Sequence, residues 1–388
     1  MSAHPPVIPP ARIGIIGGGQ LGRMMTQKAK RLGFRVIVLD PYPGAPAGQL
    51  ADSQIVGDYH DGARLREIVE RCDLTTYDLE GIDAHTLGIL EKEGHLIRPG
   101  AALLALIQDK YAQRNHLARH GIPQPEFRAI EGEASAEAFH DFGYPLVQKL
   151  RKGGYDGRGV AVLRGPEDLT KRLPGECYVE RCVDIDKELA VIVARSVTGD
   201  MKCYALVEMV FDPRANLLEM LLAPARVDPA TAQRAEEISM ATVESLGGVG
   251  VFGVELFLST NGEILVNEVA PRPHNSGHYT YEACVTSQFE QHIRAVAGLP
   301  LGSVEQMRPA AMINLLGHDE GGAGPPKIDG FAEALAIPGV IIHVYGKAET
   351  RPFRKMGHVT VLGEDLDEAR AKALAVKDKL RIHAGGLR

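Results

Sequence analysis

The chain has 388 residues, is 45% hydrophobic and 24% charged, and carries a formal net charge of -7. That length exceeds one ordinary core and implies two or three domains, and the composition is that of a soluble globular protein. The acidic balance argues against broad nucleic-acid binding, and no apolar run approaches the ~20 residues needed to cross a membrane.

Met1 to Pro10 is proline-rich and lacks a charged region followed by an apolar one, so it reads as a disordered tail and not as a signal peptide. Arg12 to Ile16 reads as a short apolar strand. Leu21, Met24, Met25, Ala29 and Leu32 then recur at helical spacing, with Gly33 as a stop. A second strand, Arg35 to Leu39, ends at Asp40. A helix around Leu65, Ile68 and Val69, a strand at Leu74 to Tyr77, a helix near Ala84 to Glu93 and a strand at Leu96-Ile97 follow. This alternation predicts a parallel sheet with helices on its faces over residues 11–108.

Helices around Leu103 to Ile107 and Tyr111 to Arg119 lead to a plausible hinge at Gly121-Ile122-Pro123. A smaller α+β unit, residues 109–183, has predicted strands near Phe127, Leu146 to Leu150, Val160 to Leu163 and Tyr178 to Glu180. Its helices are expected at Ala134 to Phe142 and Pro166 to Leu173. From residue 184 to 388 the strands are longer and more antiparallel: Glu188 to Arg195, Lys202 to Val210 and Leu217 to Ala223, then a helix from Thr231 to Leu246. A strand-rich terminal portion begins at about 308 and closes with an amphipathic helix, Asp365 to Leu380, acidic in its first turn and basic in its last. The five cysteines are odd in number and form no Cys-x-x-Cys pair, so reduced thiols in a cytoplasmic protein are expected.

Four stretches carry chemistry, and a fifth, Glu180-Arg181-Cys182-Val183 through Glu188, carries a weaker signal: the strand end and its backbone groups could line an adenine, with Glu188 accepting from ribose hydroxyls. Gly17-Gly18-Gly19-Gln20-Leu21-Gly22 fits G-x-G-x-x-G at a strand-to-helix junction, and Asp40 lies 18 residues beyond Gly22. This is the dinucleotide fingerprint, acid for a ribose hydroxyl included, and an NAD-dependent dehydrogenase is one reading of it. A plainer reading is that backbone N–H groups at a helix N-terminus bind some phosphate. The second stretch, Lys149 to Gly159, is a glycine-rich loop between strands, with Lys149, Arg151, Lys152 and Arg158 as cations. Its glycines, Gly153, Gly154, Gly157 and Gly159, allow backbone N–H groups to close over phosphates. It is not a Walker A loop, since Gly-Lys-Ser/Thr is absent.

The third stretch pairs two strands. Phe252 to Phe257 carries Glu255, and Ile264 to Val266 leads into Asn267-Glu268 and then Arg272, His274 and Asn275. A hairpin turn at Ser259 to Glu263 would aim Glu255 and Glu268 at one spot, a pairing of hard oxygens suited to Mg²⁺. The fourth, Lys347 to His358, places Lys347, Arg354 and Lys355 before an apolar strand and suits a phosphate or carboxylate ligand.

Together, Gly-Gly-Gln-Leu-Gly-Arg, Lys-Gly-Gly-Tyr-Asp-Gly-Arg-Gly, Asn-Glu-x-Ala-Pro-Arg-x-His-Asn-Ser-Gly-His and Arg-Lys-Met-Gly-His cover nearly the whole chain. The constellation resembles the ATP-grasp superfamily and, within it, the N5-carboxyaminoimidazole ribonucleotide synthase family of purine biosynthesis. The resemblance implies an α/β and α+β fold of three domains: an N-terminal Rossmann-like sheet, a small lid and a C-terminal mixed antiparallel domain. It implies that ATP, bicarbonate and aminoimidazole ribonucleotide are substrates, with Mg²⁺ as cofactor and a homodimer as the assembly.

The same resemblance assigns Lys110, Lys149, Gly154, Tyr155, Asp156, Gly157, Arg158 and Gly159 to the ATP phosphates. It gives Glu180, Arg181, Cys182, Val183 and Glu188 to the adenosine, with Asn267 and Glu268 completing the nucleotide site. Glu255 and Glu268 would hold Mg²⁺. Gln20, Leu21, Glu80, Tyr155, Arg272, His274, Asn275, Lys347, Arg354 and Lys355 would line the ribonucleotide and bicarbonate site. Arg272, His274 and Asp156 would serve the chemistry itself. In that family the glycine-rich first domain does not bind NAD. The chain departs from the family pattern at Asp78 and Gly81, within Thr76 to Ile82, and at Phe211, where a histidine is expected.

Overall fold

A computed structural model describes residues 4–130, 136–154, 159–212, 217–318 and 322–385. The first layer alternates β1 (Arg12–Ile16), α1 (Gln20–Arg31), β2 (Arg35–Asp40), β3 (Ser53–Val56), α2 (Gly62–Glu70), β4 (Leu74–Tyr77), α3 (Ala84–Lys92) and α4 (Ala101–Gln108). The strands are parallel in the order β3-β2-β1-β4. Because β1 lies between β2 and β4, the chain reverses direction across the sheet at the carboxyl end of β1. Open α/β sheets place ligands at such a switch point. Ile13, Ile15, Val36 and Val38 are fully buried, as strands covered by helices on both faces require.

The small domain follows α5 (Lys110–Arg119) and contains β5 (Phe127–Ile130), α6 (Ala136–Phe142), β6 (Leu146–Leu150), β7 (Val160–Leu163) and β8 (Cys177–Arg181). Its antiparallel sheet, ordered β5-β8-β6-β7, packs Ile130, Phe139, Phe142, Leu146, Leu163 and Val179 into a separate core. The helix expected at Pro166 to Leu173 is a 3₁₀ segment, Pro166–Lys171. The strand expected at Leu96-Ile97 is a single bridge between Ile97 and Thr75.

The remaining strands are β9 (Ile185–Arg195), β10 (Met201–Cys203), β11 (Val207–Asp212), β12 (Leu217–Ala223), β13 (Gly250–Ser259), β14 (Ile264–Ala270), β15 (Ala310–Leu316), β16 (Pro326–Asp329), β17 (Val340–Val344), β18 (Lys355–Leu362) and β19 (Arg381–Ala384). Among the described residues, one nine-stranded sheet runs β14-β13-β9-β11-β12-β15-β18-β17, with β10 on β9. Helices α7 (Pro229–Leu246), α8 (Thr280–Ala283), α9 (Gln288–Ala297), α10 (Phe331–Leu335) and α11 (Leu366–Lys379) accompany it. Asp228 caps α7 through the Ala230 and Thr231 N–H groups, and Gly247 ends it at φ 65°. The expected strand Lys202 to Val210 divides into β10 and β11, since buried Tyr204 turns inward and donates its hydroxyl to Thr286 O at 2.9 Å.

This sheet curls. Five strand spacings of about 4.8 Å would separate β13 from β18 by roughly 24 Å if it were flat. Instead Lys355, which opens β18, lies close enough to Glu255 on β13 to lower its carboxyl pKa, and His278, after β14, has its ring 4.7 Å from that of His358 on β18. Register shifts at Glu255/Leu256, Val210/Phe211 and Leu315/Leu316 supply local bends. The described start of the chain does not hang free: Val7 N–H donates to Ala297 O at 2.8 Å.

Candidate active site

The two-carboxylate hairpin forms as its alternating pattern implies. β13 and β14 are antiparallel, and Glu255 stands directly opposite Glu268. Burial, Glu268 and Glu188 push the Glu255 carboxyl above its ordinary range. His274 Nε2 lies 3.4 Å from Glu255 Oε1, and Asn267 Nδ2 donates to its Oε2 at 3.4 Å. For Glu268, desolvation in the cleft is outweighed by Lys110, whose ammonium sits 2.8 Å away, and the carboxyl is held below its ordinary range. Burial raises the Glu188 carboxyl on neighbouring β9. Two facing carboxylates that repel each other fit a hard divalent cation that takes its other ligands from phosphates and water.

Lys149, at the end of β6, is nearly buried. Its ammonium reaches Glu180 Oε2 at 2.8 Å and donates to Asn267 Oδ1 at 3.0 Å. Burial pushes the lysine down, against the pull of Glu180. Glu180 also receives Arg114 Nε at 2.5 Å; burial alone would raise its carboxyl, but the two cations hold it below the usual range. Its side chain is therefore spent inside the protein. Arg181 points away from the cleft, 3.2 Å from Glu126 and stacked on Phe142. Lys110, Lys149, Glu180, Asn267, Glu268, Glu255 and His274 thus form one connected group. Cys182 is a half-buried free thiol, and its N–H donates to Pro145 O at 3.4 Å. The candidates Tyr155, Asp156, Gly157 and Arg158 lie outside the described residues. Gly154 and Gly159 flank them, and Gly159 adopts a left-handed φ of 83°.

The N-terminal glycine turn differs from its expectation. Asp40 does not await a ribose: its carboxylate accepts from Gly18 N–H at 2.8 Å, Tyr42 N–H at 2.9 Å and Tyr59 hydroxyl at 2.7 Å. Asp78, at the end of β4, accepts from Gly19 N–H at 3.2 Å and Gly22 N–H at 2.9 Å. A carboxylate of the protein thus occupies the helix N-terminus where a dinucleotide's pyrophosphate would bind, and the dehydrogenase reading falls on this point. Of the first-turn amides of α1, Gln20 and Leu21 N–H have no acceptor among the described residues. The Leu21 side chain is in the core, so only its backbone can serve a ligand. Burial, moderated by Gly22 N–H and Arg272, pushes the Asp78 carboxyl up to about 7.

Arg272, after β14, reaches back to the N-terminal layer, with Nε 2.8 Å from Glu80 Oε1 and Nη2 donating to Glu80 Oε2 at 3.0 Å. This ion pair, with one hydrogen bond from Nη2, ties the two domains together beside Asp78. Next to it, His274 Nδ1 meets Ser276 Oγ at 2.9 Å, and Gln288 clamps the His274 backbone at both N–H and C=O. Asn275 Oδ1 is buried and has no hydrogen-bond partner among the described residues. Lys347 Nζ donates to Lys355 O at 2.6 Å, and Arg354 Nη1 donates to Glu349 O at 2.8 Å. The stretch from Lys347 to Lys355 is thereby folded back on itself at the rim formed by β18.

Residue-type reasoning missed Arg114, Asp78 as a cap, and Gln288. Arg114 follows Lys110 by one helical turn, and that spacing was the available signal.

Comparison with known proteins accords with this geometry. The Ribonucleotide synthetase preATP-grasp domain matches residues 11–108, the ATP-grasp domain residues 115–289, and the Phosphoribosylaminoimidazole carboxylase C-terminal domain residues 310–372. The chain is 51% identical to N5-carboxyaminoimidazole ribonucleotide synthetase from Thermotoga maritima, whose crystal structure superposes with a TM-score of 0.89 over 97% of this chain and 100% of that one. N5-carboxyaminoimidazole synthase from Aspergillus clavatus, solved in complex with ADP and 5-aminoimidazole ribonucleotide, is 33% identical, with a TM-score of 0.86 over 95% and 98% of the two chains. N5-carboxyaminoimidazole ribonucleotide synthase of Bacillus subtilis is 38% identical over 367 residues, 93% of this chain and 94% of that protein. The chain belongs to the N5-carboxyaminoimidazole ribonucleotide synthase family of ATP-grasp proteins.

Proposed function

We propose that the protein is an ATP-dependent carbon–nitrogen ligase that carboxylates 5-aminoimidazole ribonucleotide with bicarbonate. The products are N5-carboxyaminoimidazole ribonucleotide, ADP and phosphate. The observation that carries the reading is the linked group of Lys110, Lys149, Asn267, Glu268, Glu255 and His274, with Arg272 two residues before His274 in the chain. It joins a phosphate-binding set to a second set of cations at Lys347, Arg354 and Lys355.

Bicarbonate oxygen attacks the γ-phosphorus of ATP, ADP leaves, and carboxyphosphate forms. The exocyclic amine of the ribonucleotide then attacks the carboxyl carbon, directly or as released CO₂, phosphate departs, and the nitrogen loses a proton. Phosphoryl transfer needs alignment and charge stabilisation more than a covalent nucleophile, and the lysines supply both. Mg²⁺ would be held by Glu255 and Glu268 beside Asn267; when bound it neutralises charge on the transferring phosphoryl group. Arg272, oriented by Glu80, stands for the departing phosphate. His274, fixed by Ser276 and Gln288, or Asp156, outside the described residues, is assigned the amine proton. The orphaned Asn275 Oδ1 offers an acceptor to an incoming N–H or O–H. The Gln20 and Leu21 amides, with Lys347, Arg354 and Lys355, are assigned to the ribonucleotide. The small domain closes as a lid, because carboxyphosphate is quickly lost to water.

No helix among the described residues is long and apolar enough to cross a membrane; we assign the enzyme to the cytoplasm, as a homodimer. ADP release in the presence of MgATP and bicarbonate, with and without the ribonucleotide, tests the reaction. Strong dependence on the ribonucleotide is expected. Its absence, with ADP released for another amine or carboxylate acceptor, would move the protein to a different ligase activity. Light scattering at twice the chain mass checks the assembly.

A further inference from the structure

Arg114 has no part in the reaction described above, yet it is among the most deeply buried charges of the chain, at 1% exposure. Its guanidinium gathers three parts of the fold. Nε meets Glu180 of β8 at 2.5 Å, Nη1 donates to Val266 O at 2.7 Å and to Gln124 Oε1 at 3.3 Å, and Nη2 donates to Asn267 O at 2.8 Å. Gln124 returns a bond from Nε2 to Arg114 O at 2.9 Å, and Val266 N–H donates to Pro123 O at 2.8 Å. The lid strand, the linker into the lid and the strand bearing Asn267 and Glu268 therefore converge on one planar fork. Glu180 in turn holds Lys149, and Lys149 holds Asn267.

We propose that Arg114 is a positioning residue for the nucleotide. It acts through Glu180 on Lys149, and through the carbonyls of Val266 and Asn267 on the strand that carries Glu268, so that lid and central sheet present their phosphate ligands at a fixed span. A buried ion pair used only to fill space is replaceable and contributes little net stability. Here the guanidinium's planar donors meet acceptors on separate elements, a task that a lysine's compact ammonium cannot reproduce. The proposal rests on the ATP reading above and adds a residue that touches no substrate.

The test compares Arg114→Lys and Arg114→Met with the wild type in ADP release, with melting temperature and circular dichroism recorded alongside. Arg114→Lys keeps a cation beside Glu180 and is expected to fold. Its kcat/KM for MgATP should fall 10- to 100-fold, while the KM for aminoimidazole ribonucleotide stays within twofold. Arg114→Met should fall further, so that lysine restores part of the loss. Arg114→Lys within threefold of wild-type kcat/KM for MgATP overturns the proposal. So does failure of both variants to fold, which would assign Arg114 to stability alone. Absence of ADP release by the wild type refutes the underlying ATP reading instead, and is seen without any variant.

Discussion

Glu268→Gln separates the catalytic from the structural worth of the hairpin. Glu268 pairs with Lys110 at 2.8 Å, but its side chain is 49% exposed, so the pair contributes only about 0–1 kcal/mol to folding. The substitution also removes a negative charge directly opposite Glu255, whose carboxyl is raised partly by that repulsion. The two effects oppose each other, and the melting temperature should move by no more than about 4 °C. The loss of an anionic ligand at the transferring phosphate is worth about 3–5 kcal/mol, a fall of roughly 10² to 10⁴ in turnover. A coupled assay of ADP release at saturating ribonucleotide, repeated across a Mg²⁺ titration, reads this directly. The Mg²⁺ concentration for half-maximal rate should rise with the loss. Turnover within tenfold of wild type at unchanged Mg²⁺ dependence would refute the metal assignment. A collapsed melting temperature would show that the pair serves the fold.

Asp78→Asn should become increasingly stabilising, relative to wild type, as pH rises. The folded carboxyl titrates at about 7, above its ordinary value, so its contribution to stability is full below about pH 4 and drains as pH climbs through 7. The gap should widen by up to about 4 kcal/mol, and a gap that stays constant in urea melts from pH 5 to 8 argues against it. His292 has the opposite sign. Burial lowers its imidazole to about 3, with Nδ1 accepting from Val251 N–H at 3.1 Å, so its stabilisation is present above about 6.5 and is lost as pH falls toward 3. His292→Gln should flatten the acid limb of stability against pH by about one proton, and an unchanged slope would remove the residue from that account. Gly17→Ala places a Cβ 1.6 Å from Asp78 Oδ1 at a φ of 105°, and soluble yield or the chemical midpoint should fall sharply. A normal midpoint would mean that the turn relaxes.

The carboxylate hairpin was legible because its signals are local: an apolar alternation, an Asn-Gly turn and an acid on each strand. The parallel layer was legible for the same reason. The dinucleotide reading of the glycine turn fails because its pattern describes a shape and not what fills it. Asp40 and Asp78 come from the ends of two other strands, and nothing near Gly17 announces that they take the amides of Gly18, Gly19 and Gly22. Arg114 was silent because a lone arginine on a short helix looks like a solvated side chain, and its acceptors lie up to 153 positions away. The break between β10 and β11 depended on where Tyr204 packs, and an apolar run carries no such information.

The curl of the nine-stranded sheet makes curvature itself a property of the site. Glu255 and Lys355 belong to strands five places apart in order, separated by β9, β11, β12 and β15, and only the bend of those intervening strands brings them within electrostatic reach. The distance between the paired carboxylates and the cation that opens β18 is thus set by the shape of the whole sheet as much as by the residues at its ends.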